Sequence, residues 1–411
     1  MLDITHLTDF AATATVGFPR LTTQVTPLPV TKPRPALTVT WQVTRKCNLN
    51  CMSCLSDSRP VYSGSELSTL EGMALIRDLA GMQVPRLLFA GGEPLLRPDV
   101  LDLIGAARAR GIEPSLRTNG TLLSRARSAS LRRAGLHSVS ILLEGTSREV
   151  DEQRRVPVTF EAIVRGCDHA AAAGLGVEVR VPLNRRNYSK LAHILEYVEQ
   201  LRVSQVVFAH LIYAGRGNSP RNDLTPEQKR RALDLILERA EDFRRRGVNT
   251  RISTDENDVD RIYFYLRLVR RDRVRAAAAY GILRAGGAAA HGAGLGVAGI
   301  GAQGDVHPDP YWTDHRLGNV REKSFSEIWE RSLDPLLLGL RHRLPLLKGS
   351  CAVCRWKYAC GGSLRVRADE FYGDPWMTDP ACYLTDNEIS KEGIEEVSAM
   401  EEEVLLEEQA A

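Results

Sequence analysis

The feature that most restricts this chain is where its eight cysteines fall. Cys47, Cys51 and Cys54 lie together near the start, Cys351, Cys354, Cys360 and Cys382 near the end, and Cys167 stands alone between them. A chain of 411 residues buries about three quarters of its unfolded surface and needs no disulfides to stay folded. The N-terminus MLDITHLTDF carries no signal-peptide pattern, so a cytoplasmic location, where thiols stay reduced, is expected. Clustered cysteines in such a setting hold metal more often than they pair. No apolar run approaches the ~20 residues of a membrane span. With 54 Lys+Arg against 51 Asp+Glu the net charge is +3, and bulk charge gives no case for a nucleic-acid partner.

Between the two cysteine groups, strand-like segments at 37–44, 86–90, 113–118, 138–143, 177–183 and 205–213 alternate with helical patterns at 69–80, 100–110, 160–173 and 192–201. This alternation implies an α/β fold with a parallel sheet and right-handed crossovers, either open or closing into a barrel. Six strands are too few for a complete eight-stranded barrel. The expected organisation is a proline-containing N-terminal extension at 1–36 lying on the surface, a core at 37–222, a helical and basic bridging region at 223–284, a second unit at 285–386 and an acidic tail at 387–411. The bridging region opens with a helix capped by Thr225, with Pro226 at its first position, that is expected to leave the sheet. The tail, with nine Glu and one Lys, is expected to be a solvated helix. Cys167, inside a helical pattern, reads as a small buried hydrophobe.

The first cysteine group, Cys47-Asn-Leu-Asn-Cys51-Met-Ser-Cys54, follows the first strand directly. Four thiolates close a zinc site or saturate a cubane cluster, and three do neither. The two readings are a [4Fe–4S] cluster with one open iron and a zinc site completed from elsewhere. Gly91-Gly92-Glu93-Pro94 ends the second strand. Its glycines allow close backbone approach, and its carboxylate is suited to an ammonium group.

With these two motifs in strand order, the chain resembles the radical S-adenosylmethionine (SAM) enzymes over most of residues 38–386. The resemblance implies a partial (β/α)6 TIM-type barrel in which SAM chelates the open iron and yields a 5′-deoxyadenosyl radical. It implies SAM contacts at Gly91, Gly92 and Glu93, at Asn119 in Thr118-Asn119-Gly120, and at Arg154 in Asp151-Glu152-Gln153-Arg154. Glu144, Arg180 and Asn184 are further candidates. The chain departs from the family at Ser53, where an aromatic residue or histidine is usual, at Glu144 in a segment usually reading Ser-Leu-Asp-Gly, and at Arg155 in place of glycine.

The second group, Cys351-x-x-Cys354-x5-Cys360 followed by Cys382, fits one zinc ion or one saturated cluster by spacing alone. Its surroundings resemble the C-terminal SPASM domain, which implies one auxiliary [4Fe–4S] cluster and hence two clusters in all. The positions matching the ligands of a further cluster are His291, Asp309 and Ser363, of which His291 and Asp309 are candidates for a metal.

Several segments, among them HLIYAGRG at 210–217, IYFYLRLVRRD at 262–272 and GDVHPDPYW at 304–312, resemble the branch of the family acting on iron tetrapyrroles. That branch includes the 12,18-didecarboxysiroheme deacetylase and the heme d1 biosynthesis protein, which remove acetate or propionate side chains from a siroheme-derived macrocycle. By this resemblance His210, Tyr213 and His307 are candidates to face the substrate iron or move a proton. An external donor such as ferredoxin or flavodoxin is implied. A peptide-modifying SPASM maturase is the alternative; about 36 residues before the first strand leave no room for a leader-binding domain. A third reading makes both cysteine groups structural zinc.

Overall fold

The computed structural model describes residues 1–5, 7, 36–61, 65–146, 148–201, 203–217, 219–272, 275–276, 279–280 and 292–390. Eleven strands form one open sheet: Leu2–Asp3 (β1), Thr38–Thr44 (β2), Arg86–Gly91 (β3), Glu113–Thr118 (β4), Ser138–Leu142 (β5), Gly176–Leu183 (β6), Gln205–His210 (β7), Arg251–Asp255 (β8), Val297–Ile300 (β9), Asp305–His307 (β10) and Gly318–Asn319 (β11). Their order is β1-β8-β7-β6-β5-β4-β3-β2-β9-β10-β11. The strands from β8 through to β9 run parallel, while β1 and the β10–β11 pair are antiparallel additions at the two edges.

Alternation along the strands sets the two faces. In β4, Pro114, Leu116 and Thr118 are buried between half-buried Glu113, Ser115 and Arg117; in β5, Val139 and Ile141 alternate with Ser138, Ser140 and Leu142. The apolar set packs with helix residues such as Leu103, Ile104 and Ile163 into one core. The polar set faces the concave interior of a partial TIM-type barrel. The helices begin where their caps dictate. Ser68 and Glu71 form a capping box at Thr69–Gly81 (α1), and Thr225 and Gln228 form one at Pro226–Arg246 (α2), which ends at Gly247 with φ 68°.

All six expected strands are present, and the sheet extends past them on both sides. The helix α2, expected to leave the sheet, is instead the crossover to β8, which pairs in parallel with β7. Strand β9, inside the Gly/Ala-rich stretch, pairs in parallel with β2. The second half of the chain is therefore built onto both edges of the barrel. The start of the N-terminal extension is not on the surface, since Leu2–Asp3 pairs with β8 and Ile4 and Leu7 are buried. The tail begins with exposed Asn387 and buried Glu388, the latter held by Arg230 and Arg270; the rest of it, from 391, lies outside the described residues. Among the described residues no helix is long and apolar enough to cross a membrane.

Candidate functional site

A cavity of about 520 Å³ opens at the C-terminal ends of the parallel strands, where α/β sheets place their ligands. Cys47, Cys51 and Cys54 all line it. Burial pushes the Cys47 thiol up to about 11 and raises that of Cys51, which the Arg154 guanidinium opposes. Such thiols become ligands only when a metal centre displaces their protons. No further cysteine lines this cavity among the described residues. The thiols stand apart: no three His, Cys, Asp or Glu side chains, among the described residues, converge as they would on one metal ion.

The cysteine loop is held from three sides. Cys54 and Arg216 exchange backbone hydrogen bonds of 2.8 and 2.9 Å. The Arg216 side chain donates to Cys51 O (3.0 Å) and Ser58 O (3.1 Å) and pairs with Asp57 (2.8 Å). Gly215 and Gly217 are required beside it, because a Cβ would lie 2.3 Å from Cys54 O and 2.1 Å from Met52 O respectively. Met52 N–H also donates to Gln153 O (2.8 Å). The sequence reading did not assign Gly215, Arg216 and Gly217 to the cluster; their only signal was two glycines flanking an arginine at a strand end.

Gly91 and Gly92 line the cavity and pack on residues 44–46: a Cβ on Gly92 would sit 2.1 Å from Lys46 O. Glu93 is elsewhere. Its carboxylate is fully buried and accepts from Leu95 N–H (3.0 Å), Thr118 Oγ1 (2.8 Å) and Asn119 N–H (2.8 Å), and it does not line the cavity. Glu93 thus ties the end of β3 to the end of β4. Asn119 does reach the site, donating to Asn48 Oδ1 (2.9 Å) with Nδ2 at 3.8 Å from Cys47 Sγ.

Arg154 and Glu144 come together as a buried pair beside the cysteines. The Arg154 guanidinium donates to Leu142 O (2.8 Å) and Cys51 Sγ (3.4 Å), and Nη2 lies 2.9 Å from Glu144 Oε2. Arg180 also lines the cavity, but its charge is met by Asp255 (2.9 Å), Glu256 (3.3 Å) and Glu178 (3.5 Å). Asn184 lines the cavity as well.

Of the three candidate proton-moving groups, only His210 lines the cavity. Its Nε2 lies 2.9 to 3.0 Å from the Asp260 carboxylate, which also accepts from the Tyr383 hydroxyl (2.8 Å), and its Nδ1 has no hydrogen-bond partner among the described residues. Tyr213 is buried and donates to Asp223 (2.7 Å), and His307 is buried with Nδ1 on His315 O (2.8 Å). Neither lines the cavity.

The four later cysteines ring a second, far smaller cavity of about 30 Å³. Burial pushes Cys354 up to about 11, Cys382 to about 12 and Cys360 well above the ordinary thiol value. Beside it, Ser363 donates to Asn257 Oδ1 (3.3 Å) and accepts from Asp258 N–H (3.1 Å). Asp309 is buried and accepts from Tyr311 N–H (2.8 Å). His291 lies outside the described residues. Cys167 is buried in the helix Thr159–Ala172, its thiol pushed up to about 12.

Residues 41–198 match the family model described as the radical SAM superfamily. The chain is 39% identical over 355 residues to the Fe-coproporphyrin III synthase of Methanosarcina barkeri, covering 85% of this chain and 88% of that protein. It is 36% identical to the pre-heme d1 synthase of Dinoroseobacter shibae, covering 88% and 89%. Among solved structures, Streptococcus suis SuiB bound to its precursor peptide SuiA aligns with a TM-score of 0.66 at 16% identity, over 85% of this chain and 76% of that one. That last likeness speaks for the fold alone.

Proposed function

This chain belongs to the radical SAM superfamily, and we propose that it removes carboxylate-bearing side chains, acetate or propionate, from a siroheme-derived iron tetrapyrrole in heme or heme d1 biosynthesis. The observation that carries the reading is the near full-length similarity to two relatives named for tetrapyrrole products. A cavity of about 520 Å³ is within the usual range for a cofactor-sized ligand.

The donor set fits the group the family requires: three thiols line one cavity, those of Cys47 and Cys51 buried, with Arg154 and Asn119 directed at two of them. Cys47, Cys51 and Cys54 would hold a [4Fe–4S] cluster, which would supply the electron for reductive cleavage of SAM and so the radical that takes hydrogen from the substrate. Arg154, fixed by Glu144 and Leu142 O, offers a carboxylate-binding cation beside Cys51. Gly91 and Gly92 bring main chain against the cysteine loop, and Asn119 offers an amide to the ribose side. His210, its ring held through Nε2 by Asp260, is the cavity-lining histidine that would meet the substrate. Cys351, Cys354, Cys360 and Cys382 would hold a second, auxiliary cluster, fully ligated by four thiolates. An external donor such as ferredoxin or flavodoxin would supply the electron.

The test is anaerobic incubation with SAM, reductant and didecarboxysiroheme, followed by mass measurement of the macrocycle. Loss matching acetate-to-methyl conversion or propionate removal supports the reading and names the side chain. An unchanged macrocycle alongside SAM cleavage would overturn it in favour of another substrate, a peptide first. Cys51→Ala is expected to abolish 5′-deoxyadenosine formation.

A further inference from the structure

Five Arg or Lys side chains line the main cavity: Arg117, Arg154, Arg180, Arg186 and Lys190. Four have partners in the protein. Arg154 meets Glu144, Arg180 meets Asp255 and Glu256, Arg186 donates to Gln153 Oε1 (2.8 Å), and Lys190 pairs with Glu149. Arg117, on β4, has no hydrogen bond or ion pair to any described residue, and its Nε is buried without a partner. Neighbouring acids are already engaged. Arg117 sits in register with Ser140 and Ser140 with Glu178, but Ser140 donates to Glu178 (2.7 Å), and Tyr311 donates to Glu256 (2.8 Å). A half-buried guanidinium left this way loses hydration without compensation unless a ligand anion meets it.

We propose that Arg117 is the residue that binds a carboxylate of the macrocycle's side chains, through its two-pronged donor face. This rests on the tetrapyrrole reading above. SAM carries a carboxylate too, but a suitable cation already stands beside the cysteines: Arg154, 3.4 Å from Cys51 Sγ. Arg117 starts two residues before Asn119, about 7 Å further down the strand into the barrel. Tyr311, which the C-terminal half contributes to the same cavity wall, lies near enough for its hydroxyl to feel the Arg117 charge. Arg117 is thus a specificity-determining residue for a substrate reaching deeper into the barrel than the cysteine loop.

The experiment is an anaerobic absorbance titration of the cluster-loaded full chain with iron didecarboxysiroheme, alongside a SAM-binding measurement. Arg117→Ala is expected to weaken macrocycle binding about tenfold or more while keeping SAM affinity. Arg117→Lys, which retains charge without the fork, should fall between, and it keeps the test open if the alanine variant misfolds. A macrocycle with its side-chain carboxylates esterified should bind wild type no better than Arg117→Ala binds the parent. Unchanged macrocycle affinity in both variants, or a loss of SAM affinity instead, overturns the assignment. Failure of the wild type to bind the macrocycle while binding SAM is a different result, which sinks the tetrapyrrole reading and this assignment with it.

Discussion

Arg155 adopts φ 55°, a left-handed conformation that glycine tolerates better than a residue with a Cβ. It directly follows Arg154 and takes the place of the glycine usual in the resembling family. Arg155→Gly is expected to stabilise the protein by about 0.5–1 kcal/mol, the relief of backbone strain exceeding the extra freedom of the unfolded chain; urea unfolding midpoints would check it, and a lowered midpoint would refute it. Gly217 is the opposite case. It has φ 73° and, with a Cβ, would press on Met52 O at 2.1 Å, so Gly217→Ala should displace the cysteine loop and show a clear fall in iron bound per chain after reconstitution. The chemistry of single residues was partly legible in the sequence: thiol spacing and GGEP named groups that do line the cavity. Orientation was not. Spacing placed Glu93 at the right strand end but did not show its carboxylate turned onto Thr118 and Asn119.

At the scale of elements, the site is an assembly of strand ends, and the cysteine loop depends on elements distant in sequence. The loop after β7 returns Arg216 across it, and the turn around Gln153 and Arg154 supports its other side. Arg216→Ala should therefore leave the sheet intact but weaken cluster retention about tenfold, read as faster loss of visible absorbance under chelator with unchanged far-ultraviolet dichroism. Equal retention by variant and wild type would show the loop to be self-supporting. The six strands before residue 213 were legible because they are short runs of apolar and β-branched residues, alternating in β4 and β5 and nearly continuous in β2 and β7. Strand β8, with only Arg251–Asp255 and a polar inner side, lacks that signal. Strand β9 is built from Val, Ala, Gly and Ile within a glycine-rich run, which reads as loop. Both form because a neighbouring strand edge accepts them, which is tertiary information.

Across the whole molecule, one sheet runs from β1 to β11 without a break, so the second half extends both edges of the barrel rather than hanging from it. Asp309 packs at the β9 edge. Gly299 of β9 packs against its carbonyl, where a Cβ would lie 2.8 Å away. Burial, helped by the charge of Glu256 and opposed by Arg343, pushes the Asp309 carboxyl up to about 7. An acid raised in the folded state binds more protons there than in the unfolded chain. Stability then falls as pH climbs from the unfolded value near 4 to the folded one, and is level beyond it. Asp309→Asn retains an acceptor for Tyr311 N–H but cannot ionise, so it removes this slope. Relative to wild type the variant should gain up to about 2–4 kcal/mol on going from about pH 4 to about pH 8. Urea midpoints for the two proteins across that range would check this, and a constant difference between them would refute the raised carboxyl.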